Sequence, residues 1–474
     1  MPRSKKTETE TETPDLPQDT TTEIDHGRLL AAVAEFAYSV PHEKFIYRLG
    51  SKWKPETPVT EKGIRQFLLA RQYPYDLVEL IVKKGLFHRT LATDVVPGQP
   101  PIARDEHDHP VLNLYAHPSL TPADHLIPHP RIEAILRWLC ACPDDTDPKA
   151  IEGLTWFFHW VARKVQNPGL LPMVAPIFGT EPGAGKGTLY RIIAAMLGEG
   201  NCAIVERQHL ESRFTPWANK LFVLGDEVVS NDNQTDVSER LKIMIASPET
   251  TIELKNVNAY PIPNRKAFIF ASNDRLSPLK VSPNDRRYTY FRNHKPVTPE
   301  YETLLKSCYA PDGETFTEDF VEEIRGFWRS LLDTPVDLGF VTRPFTNQAR
   351  EELIQVNEPG HALFVKAMLE DGIDALIDQL LDTPKGLKFR GEAQRKEWDF
   401  GAQGLSKAVV YEAYRAFCDA EGKHALSAAR FGPALRTLDG VEEGRNVTPS
   451  GRKVRYWILP RTTTHSTDAW SDVA

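Results

Sequence analysis

A glycine-rich segment directly after an apolar run is the feature that most restricts the fold of this chain. Residues 179–190 read Gly-Thr-Glu-Pro-Gly-Ala-Gly-Lys-Gly-Thr-Leu-Tyr; they follow the apolar run Met173–Phe178 and precede a helical pattern that ends near Leu197. A strand, a tight glycine turn and a helix in this order are typical of parallel sheets with crossover helices. The sequence therefore predicts an α/β domain.

The glycines of this segment allow the backbone to hold an anion. Gly183 and Gly185 permit N–H groups to turn inward on a small radius, and the helix beginning near Lys186 directs its positive dipole end to the same place. Lys186 can then reach the β- and γ-phosphates of a nucleotide, and a nearby hydroxyl can contact Mg²⁺. The segment predicts binding of ATP and Mg²⁺ by Gly183, Ala184, Gly185, Lys186, Gly187, Thr188 and Leu189.

The segment departs from the G-x-x-x-x-G-K-[ST] spacing at two positions. Thr180 stands where the first glycine is expected, and Gly187 stands where the hydroxyl is expected. Thr188 is the nearest substitute and is our predicted metal ligand on this side, together with Asp226 below. A turn that binds nothing is the alternative, but a lysine directly after the glycine in a strand-to-helix context favours phosphate binding.

Composition excludes several classes of protein. The chain has 474 residues, 41% of them apolar and 26% charged, which allows about three domains. No stretch reaches the ~20 consecutive apolar residues of a spanning helix, and the charged start is unlike a secretory signal. We therefore expect a cytoplasmic protein with no membrane partner and with five reduced cysteines. A net charge of −8 argues against a wholly basic nucleic-acid coat protein.

Shifts in composition along the chain predict six regions. The acidic segment 1–27 and the segment 462–474 lack apolar periodicity, and we expect both to be disordered tails. Between them the patterns predict a mainly helical accessory domain (28–166), an α/β domain with a phosphate-binding loop (167–345), a helical connector (346–404) and a small winged-helix-like domain (405–461).

Two carboxylates follow the next predicted strand. The apolar run Leu221–Leu224 leads through Gly225 into Asp226 and Glu227. One carboxylate at such a strand end can hold Mg²⁺ directly or through water, and its neighbour can polarise the water that attacks a γ-phosphate. Alone, the motif is more typical of a strand meeting a solvated turn; its position after the glycine loop favours catalysis.

Polar residues beside two further strands complete the predicted catalytic set. The strand Ala267–Ala271 is followed by Ser272 and Asn273, and the Asn273 amide can position the lytic water. Arg286 and Arg287 precede another strand-like segment, and one of these guanidinium groups is predicted to stabilise the transferring phosphoryl group, often across a subunit interface. A plain turn and a solvated edge remain the alternatives for each motif alone.

The order of these elements resembles the superfamily 3 helicase ATPases, and most closely the phage and plasmid primase-helicases related to those of poxviruses. The resemblance covers roughly residues 90–460 and is carried by Val111–Tyr115, Gly183–Thr188, Asp226–Glu227, the Lys255 segment, Ser272–Asn273 and Asp285–Arg287. It implies an AAA+-like fold, a homo-hexameric ring with ATP sites shared between subunits, and ATP-driven movement along single-stranded DNA. We therefore predict an ATP hydrolase that acts as a replicative DNA helicase of a phage or mobile element.

In this family the region between Glu227 and Asn273 carries a hairpin that projects into the ring channel. Here it offers cations for phosphates and an aromatic ring for a base. The predicted DNA contacts are Lys255, Tyr260, Arg265 and Lys266. An ordinary surface hairpin is the alternative from composition alone.

The last domain reads as two helices, Leu405–Ala420 and Ser427–Leu438, followed by two short strands around 448–453. It holds ten Lys/Arg against six Asp/Glu between Leu405 and Arg461, so it is locally basic on an acidic chain. Winged helices also dock proteins, so DNA contact is one of two interpretations. The predicted DNA contacts are Arg430, Arg436, Arg452, Lys453 and Arg455.

Two other functions share parts of this pattern. Adenylate kinases have a similar glycine loop, although they open with it, whereas here a whole domain precedes it. A non-unwinding assembly or initiator module would use ATP only to form a ring, but Glu227 argues against it. Priming is expected from a separate primase or polymerase, because the acidic and histidine-rich segment Asp105–His109 reads as a turn.

Overall fold

The structure is a computed structural model that describes residues 25–50, 52–228, 234–253, 259–274, 281, 284–371, 405–438, 441–447 and 453–458. The chain divides into two compact units, Met1–Val356 (unit 1) and Asn357–Ala474 (unit 2). The two predicted tails lie largely outside the described residues, as does segment 372–404 of the predicted connector.

The first part of unit 1, up to residue 113, combines helices with short strands. The bounds are α1 (His26–Val33), β1 (Phe36–Ser39), β2 (Lys44–Leu49), β3 (Lys52–Trp53), α2 (Glu61–Ala70), α3 (Tyr75–Lys84), β4 (Arg89–Thr90), β5 (Ala92–Asp94), β6 (Ile102–Arg104) and β7 (Pro110–Asn113). A four-stranded sheet has the order β3-β2-β1-β4, and a three-stranded sheet has the order β5-β7-β6. The prediction of a mainly helical domain missed these strands, because pieces of two to six residues carry too little periodicity to be separated from loops.

Two polar side chains fix the loops of this part. Asp105 accepts hydrogen bonds from the backbone N–H groups of His107 (2.9 Å) and His109 (2.8 Å), so this segment is the predicted turn, between β6 and β7. Asn113, which is buried, donates to the Val96 carbonyl and accepts from the Tyr115 N–H group. The upstream Asn-x-Tyr element therefore closes a loop in this structure.

A five-stranded parallel sheet forms the centre of unit 1, which confirms the predicted α/β class. The bounds of its strands and of the helices between them are β8 (Ala175–Gly179), α6 (Lys186–Leu197), β9 (Cys202–Val205), α7 (Arg207–Glu211), β10 (Phe222–Asp226), α8 (Gln234–Ala246), β13 (Ala267–Ser272) and β14 (Tyr288–Arg292). The strand order is β14-β8-β13-β10-β9, so the strand before Asn273 lies between the glycine-loop strand and the Asp-Glu strand. Helices follow several of the strands, as expected for crossover connections.

Alternating side chains of the sheet enter two separate cores. Phe178 packs on one face with Trp156, whereas its neighbour Ile177 packs on the other with Leu241. Every residue of β8 and of β13 is buried, as expected for parallel strands covered on both faces. The covering elements on the Phe178 face include α4 (Pro130–Leu139) and α5 (Pro148–Gln166), so the predicted boundary after residue 166 falls inside one hydrophobic core.

The remaining elements of unit 1 surround this sheet. Their bounds are β11 (Glu249–Ile252), β12 (Tyr260–Pro263), α9 (Pro299–Ser307), α10 (Glu318–Asp333), α11 (Leu338–Val341) and α12 (Gln348–Asn357), the last of which ends at the division between the units. Strands β11 and β12 form an antiparallel hairpin in which Ile252 lies opposite Tyr260. The long helix α10 buries Phe320, Ile324 and Phe327 in the same core as α5.

Unit 2 has its own hydrophobic core. Tyr414 and Phe431 stack with their ring centroids 4.1 Å apart, next to Phe364. The predicted order of two helices and a hairpin is present, while the assignment to winged helices stays a prediction. The bounds are α13 (Gly360–Asp371), β15 (Leu405–Ser406), α14 (Lys407–Ala420), α15 (Ala428–Leu435), β16 (Glu442–Val447) and β17 (Lys453–Ile458), with the sheet order β15-β17-β16.

Candidate active site at the glycine loop

The loop after β8 turns through two glycines in left-handed backbone conformations. Gly183 has a φ of +78° and Gly185 has a φ of +90°, and Gly185 is the N-cap of α6. A Cβ on Gly185 would lie 3.1 Å from a Leu305 methyl carbon and 3.3 Å from the Tyr301 hydroxyl, so this position needs glycine for both space and conformation. The first N–H groups of α6, which have no helical partners, therefore open onto this loop.

The Lys186 ammonium lies among oxygen atoms at the end of the sheet. It donates to Asn273 Oδ1 (2.8 Å) and to the Thr180 carbonyl (3.0 Å), with a further contact to the Ser272 carbonyl. Burial lowers the pKa of Lys186, and the nearby carboxylates of Glu227 and Asp226 oppose that shift. The ammonium is thus held by neutral acceptors at the place where the loop, β13 and β10 end.

Glu227 ties the ends of two strands together. Its backbone N–H donates to the Ala271 carbonyl (3.0 Å), and its Oε1 atom accepts from the Asn273 N–H (2.6 Å). Its φ of +45° is left-handed, which is uncommon for a residue with a side chain and indicates local strain. Asp226 is the last residue of β10 and lies in register with Ala271.

The ends of the parallel strands therefore bring Lys186 and Glu227 close together, and Asn273 is hydrogen-bonded to both. Asp226 joins them at the same sheet edge, where it influences the pKa of Lys186. Lysine and amide groups can bind phosphate oxygens, and paired carboxylates can hold a hydrated cation or polarise water. The arrangement provides the chemical groups that cleavage of a phosphoanhydride by water requires.

The side chains of the predicted loop residues differ in their surroundings. The Thr188 hydroxyl accepts a hydrogen bond from the Tyr309 hydroxyl (2.9 Å), and Thr188 is 8% exposed. The predicted contact of Thr188 with Mg²⁺ stays a prediction, since Tyr309 engages only one acceptor position of this oxygen. The side chain of Leu189 is buried in the core, so only its backbone is near the loop. Ala184 is also buried, and Gly187 meets open space at its Cβ position.

No cluster of three or more His, Cys, Asp or Glu that could hold a metal ion by itself is found among the described residues. Asp226, the last residue of β10, offers carboxylate oxygens, a type of ligand that suits Mg²⁺.

The two predicted arginines have different surroundings. Arg286 is exposed, whereas Arg287 is half-buried and its guanidinium lies 3.6 Å from Asp285. Asp285 also accepts from the Arg287 N–H (2.9 Å), and Arg350 donates to the Asp285 carbonyl. The Asp285–Arg287 turn is thus fixed from within, and Arg286 is the arginine that it presents outward.

Sequence reasoning missed Tyr301, which supports the loop from behind. Its hydroxyl donates to the Ala184 carbonyl (3.1 Å), and its ring stacks on Trp138 with centroids 4.2 Å apart. Glu181 is held in a similar way, since its Oε2 atom accepts from the Val297 N–H. The supporting residues Tyr301 and Val297 are more than a hundred positions from the loop, and no local signal connects them with it.

The hairpin lysine predicted to bind DNA is engaged within the protein instead. The Lys266 side chain is buried, and its ammonium donates to the Ala218 carbonyl (2.9 Å). Another cation predicted in this hairpin, Lys255, lies outside the described residues.

Tyr260 and Arg265 contact the N-terminal strands. The Tyr260 hydroxyl is hydrogen-bonded to Thr93 (2.8 Å), and Arg265 forms an ion pair with Asp94. Tyr260, Arg265 and Lys266 are therefore not free to bind DNA in this arrangement, contrary to expectation, because the hairpin packs on strand β5.

In unit 2 the predicted cations are distributed over the second helix and the hairpin. Arg430 and Arg455 are exposed, and Arg455 lies directly opposite Arg445, a cation that the sequence pattern had not singled out. Arg436 is exposed but its guanidinium binds the Glu443 carboxylate (2.7 Å).

Lys407 binds the same Glu443 carboxylate (2.6 Å), and these two cations lower the pKa of Glu443 to about 2. Arg436 is therefore partly neutralised rather than free. Lys453 lies opposite Val447 in the register of β16 and β17. Arg452 lies outside the described residues.

The fold and the sheet edge define a mixed α/β protein with a Rossmann-like or P-loop-like parallel sheet. A family model described as "Family of unknown function (DUF5906)" matches residues 177–287, from β8 to Arg287. No curated protein matches the sequence. No helix of the described part is long and apolar enough to cross a bilayer.

Solved structures of the C-terminal region of NrS-1 are similar over almost the whole chain. The apo structure of that region has a TM-score of 0.62 at 16% identity, covering 90% of this chain and 96% of that chain. An A-form apo structure of the same region has a TM-score of 0.60 at 17% identity with the same coverage. At these identities the likeness shows a shared fold.

Proposed function

We propose that this chain is an ATP-hydrolysing DNA helicase of the primase-helicase type, which serves replication of a phage or mobile element. The observation that carries the proposal is the contact network in which Asn273 Oδ1 accepts from Lys186 while the Asn273 N–H donates to Glu227. The likeness to the NrS-1 C-terminal region and the motif resemblance support a replication-related, helicase-like role. The position of β13 between β8 and β10 supports the AAA+-like, superfamily 3 assignment.

Each residue at the sheet edge has a distinct task in this proposal. Backbone N–H groups from Gly183 to the start of α6 bind the phosphates, and Lys186 moves from its carbonyl partners to the β- and γ-phosphate oxygens. Glu227 orients and polarises the attacking water, and Asn273 fixes Glu227 and senses the γ-phosphate. Asp226 would hold Mg²⁺, which neutralises phosphate charge when it is bound.

The exposed Arg286 suits a site completed by a second copy of the chain, as in a homo-hexameric ring. An outward guanidinium can reach a phosphoryl group bound by a neighbour, whereas Arg287 is restrained by Asp285. Single-stranded DNA is the proposed partner of the ring, with unit 2 and its exposed Arg430 and Arg455 as a winged-helix-like DNA contact. A separate primase or polymerase would supply primers.

The decisive experiment measures phosphate release from ATP with and without single-stranded DNA, together with ADP formation from AMP. We expect DNA-stimulated hydrolysis that Lys186→Ala and Glu227→Gln reduce by at least about a hundredfold, because a positioned general base contributes that much or more. Glu302→Gln, which alters an exposed carboxylate on α9, is the matched control and should retain activity. Transfer to AMP would indicate a kinase, and ATP binding without turnover would indicate an assembly module.

The ring is tested by mixing Arg286→Ala subunits with Lys186→Ala subunits, each of which should be inactive alone. If Arg286 acts across an interface, the mixture should regain ATP hydrolysis, because some sites then combine Lys186 of one subunit with Arg286 of its neighbour. No recovery in rings that assemble normally would remove this role from Arg286.

A further inference from the structure

A cavity of about 410 Å³ lies between the N-terminal strands and β9, the outermost strand on one side of the parallel sheet. Lys52, Trp53 and Lys54 line it on the N-terminal side, and Trp217, Asn219 and Lys220 line it on the sheet side. None of these residues belongs to the glycine-loop site. The volume is within the range of ~300–1,000 Å³ that is usual for small-molecule sites.

The lining carries an excess of positive charge. Three lysines face two carboxylates, Glu56 and Glu199. Lys54 lies 3.5 Å from Glu56, and the Lys220 ammonium donates to the backbone carbonyl of residue 200 (2.7 Å). Lys52 is exposed, so its charge remains available to a ligand. An anionic group would be attracted to this cavity and would find ammonium donors there.

An aromatic ring contributes to the same lining. Trp53 is half-buried and has the Arg48 guanidinium 5.3 Å from its ring centroid. The base of a nucleotide can stack on an indole ring of this kind.

Gly200, a lining residue of the cavity, packs closely against a neighbouring side chain. A Cβ on Gly200 would lie 2.7 Å from Ala116 Cβ and 3.7 Å from Lys52 Cε. A larger residue would therefore displace Ala116, whereas the distance to Lys52 is an ordinary contact. The shape depends on this close approach between the two walls.

We propose that this cavity is a second nucleotide site, which binds a nucleoside phosphate with its base against an indole ring and its phosphate near the lysines. Trp53 would supply the indole ring, and Lys52 and Lys54 would supply the ammonium groups. The same chemistry is offered by a free mononucleotide and by one nucleotide of a DNA single strand. The site goes beyond the proposed ATPase and does not depend on it.

The test measures binding to the full-length protein and to its Lys186→Ala variant, in which the glycine loop is impaired. The probes are thymidine monophosphate, an oligothymidylate and inorganic phosphate. We expect Trp53→Ala and Lys54→Ala each to weaken nucleotide binding by about tenfold, since a stacked base or a charged contact contributes roughly that much. Lys62→Ala, which alters an exposed lysine on α2, is the matched control.

The outcomes separate the sources of the ligand. Weaker binding of thymidine monophosphate, alone or together with the oligothymidylate, supports a mononucleotide site. Weaker binding of the oligothymidylate alone supports a nucleotide of a DNA strand. If neither variant differs from Lys62→Ala, or if inorganic phosphate competes as well as thymidine monophosphate, the proposal is overturned.

Two further measurements keep the test decisive. Thermal unfolding checks that the Trp53 variant folds, and Lys54→Ala provides the test on a side chain that does not pack on a hydrophobic core. Lys186→Ala should leave this binding intact, which distinguishes failure here from failure of the ATPase.

Discussion

Functional residues were predicted both at the carboxyl ends of the parallel strands and in the β11–β12 hairpin, but their surroundings in the structure differ. At the strand ends, Asn273 is hydrogen-bonded to both Lys186 and Glu227, as the order of these residues along the chain had indicated. In the hairpin, Tyr260 and Lys266 are bonded inside the protein. Backbone topology alone determines which strand ends meet, whereas the freedom of a cationic side chain depends on what packs against it.

Among the variants that test this comparison, Asn273→Ala should have the largest effect, and it tests the residues that meet at the strand ends. The change removes the Oδ1 acceptor of Lys186 and the amide proposed to sense the γ-phosphate, so ATP hydrolysis should fall by about a hundredfold, as for loss of one preorganised polar group in an active site. Steady-state phosphate release measures it. Glu302→Gln is the control, and equal rates for the two variants would contradict the convergence.

Lys266→Met tests the burial of the hairpin lysine through the pH dependence of the free energy of unfolding. Burial lowers the pKa of Lys266 to about 7, so above that pH the folded protein binds fewer protons than the unfolded chain, whose lysine pKa is about 10.4. The free energy of unfolding should therefore rise by about 2 kcal/mol from this residue between pH 7 and pH 9, and this gain is lost as the pH falls back to 7. Thermal unfolding of the wild type should show the rise, and Lys266→Met should reduce it without abolishing it, because burial also lowers the pKa of Lys164 to about 7.

The same variant should leave the affinity for single-stranded DNA unchanged, because the ammonium is bonded to the Ala218 carbonyl. Lys62→Ala is the exposed control for non-specific charge loss. Weaker DNA binding by Lys266→Met alone, at full folding, would mean that the hairpin leaves its docked position when DNA binds.

Tyr260→Phe has a smaller expected effect. It retains the aromatic ring but removes the hydrogen bond to Thr93, so the free energy of unfolding should fall by about 1 kcal/mol. Chemical denaturation measures it, with Tyr75→Phe, an exposed tyrosine, as the control. Unchanged stability would indicate that the hairpin is not docked on the N-terminal strands in solution.

Thr188→Val has the smallest expected effect. Because Tyr309 engages the hydroxyl, its loss should change the rate of ATP hydrolysis by less than about threefold, which corresponds to one ordinary hydrogen bond. A much larger loss, restored by raising Mg²⁺, would return Thr188 to the role of metal ligand.

The sequence was sufficient where chemistry follows local backbone rules. A glycine turn between a strand and a helix, and carboxylates after an apolar run, predicted β8, α6 and β10 close to their observed bounds. It was insufficient for the four-residue edge strand β9, which has Ile204 half exposed and thus lacks the fully apolar run of a central strand. The support that Tyr301 gives the loop was also hidden, because it arises from tertiary packing.

The pairing of Arg445 with Arg455 across the unit 2 hairpin has a consequence for ionic conditions. Like charges directly opposite each other on a sheet repel, and the repulsion is strongest in dilute salt. Added salt should therefore stabilise the free hairpin by screening this repulsion. The same salt should weaken the binding of the hairpin to any polyanion, so the two responses to salt have opposite signs.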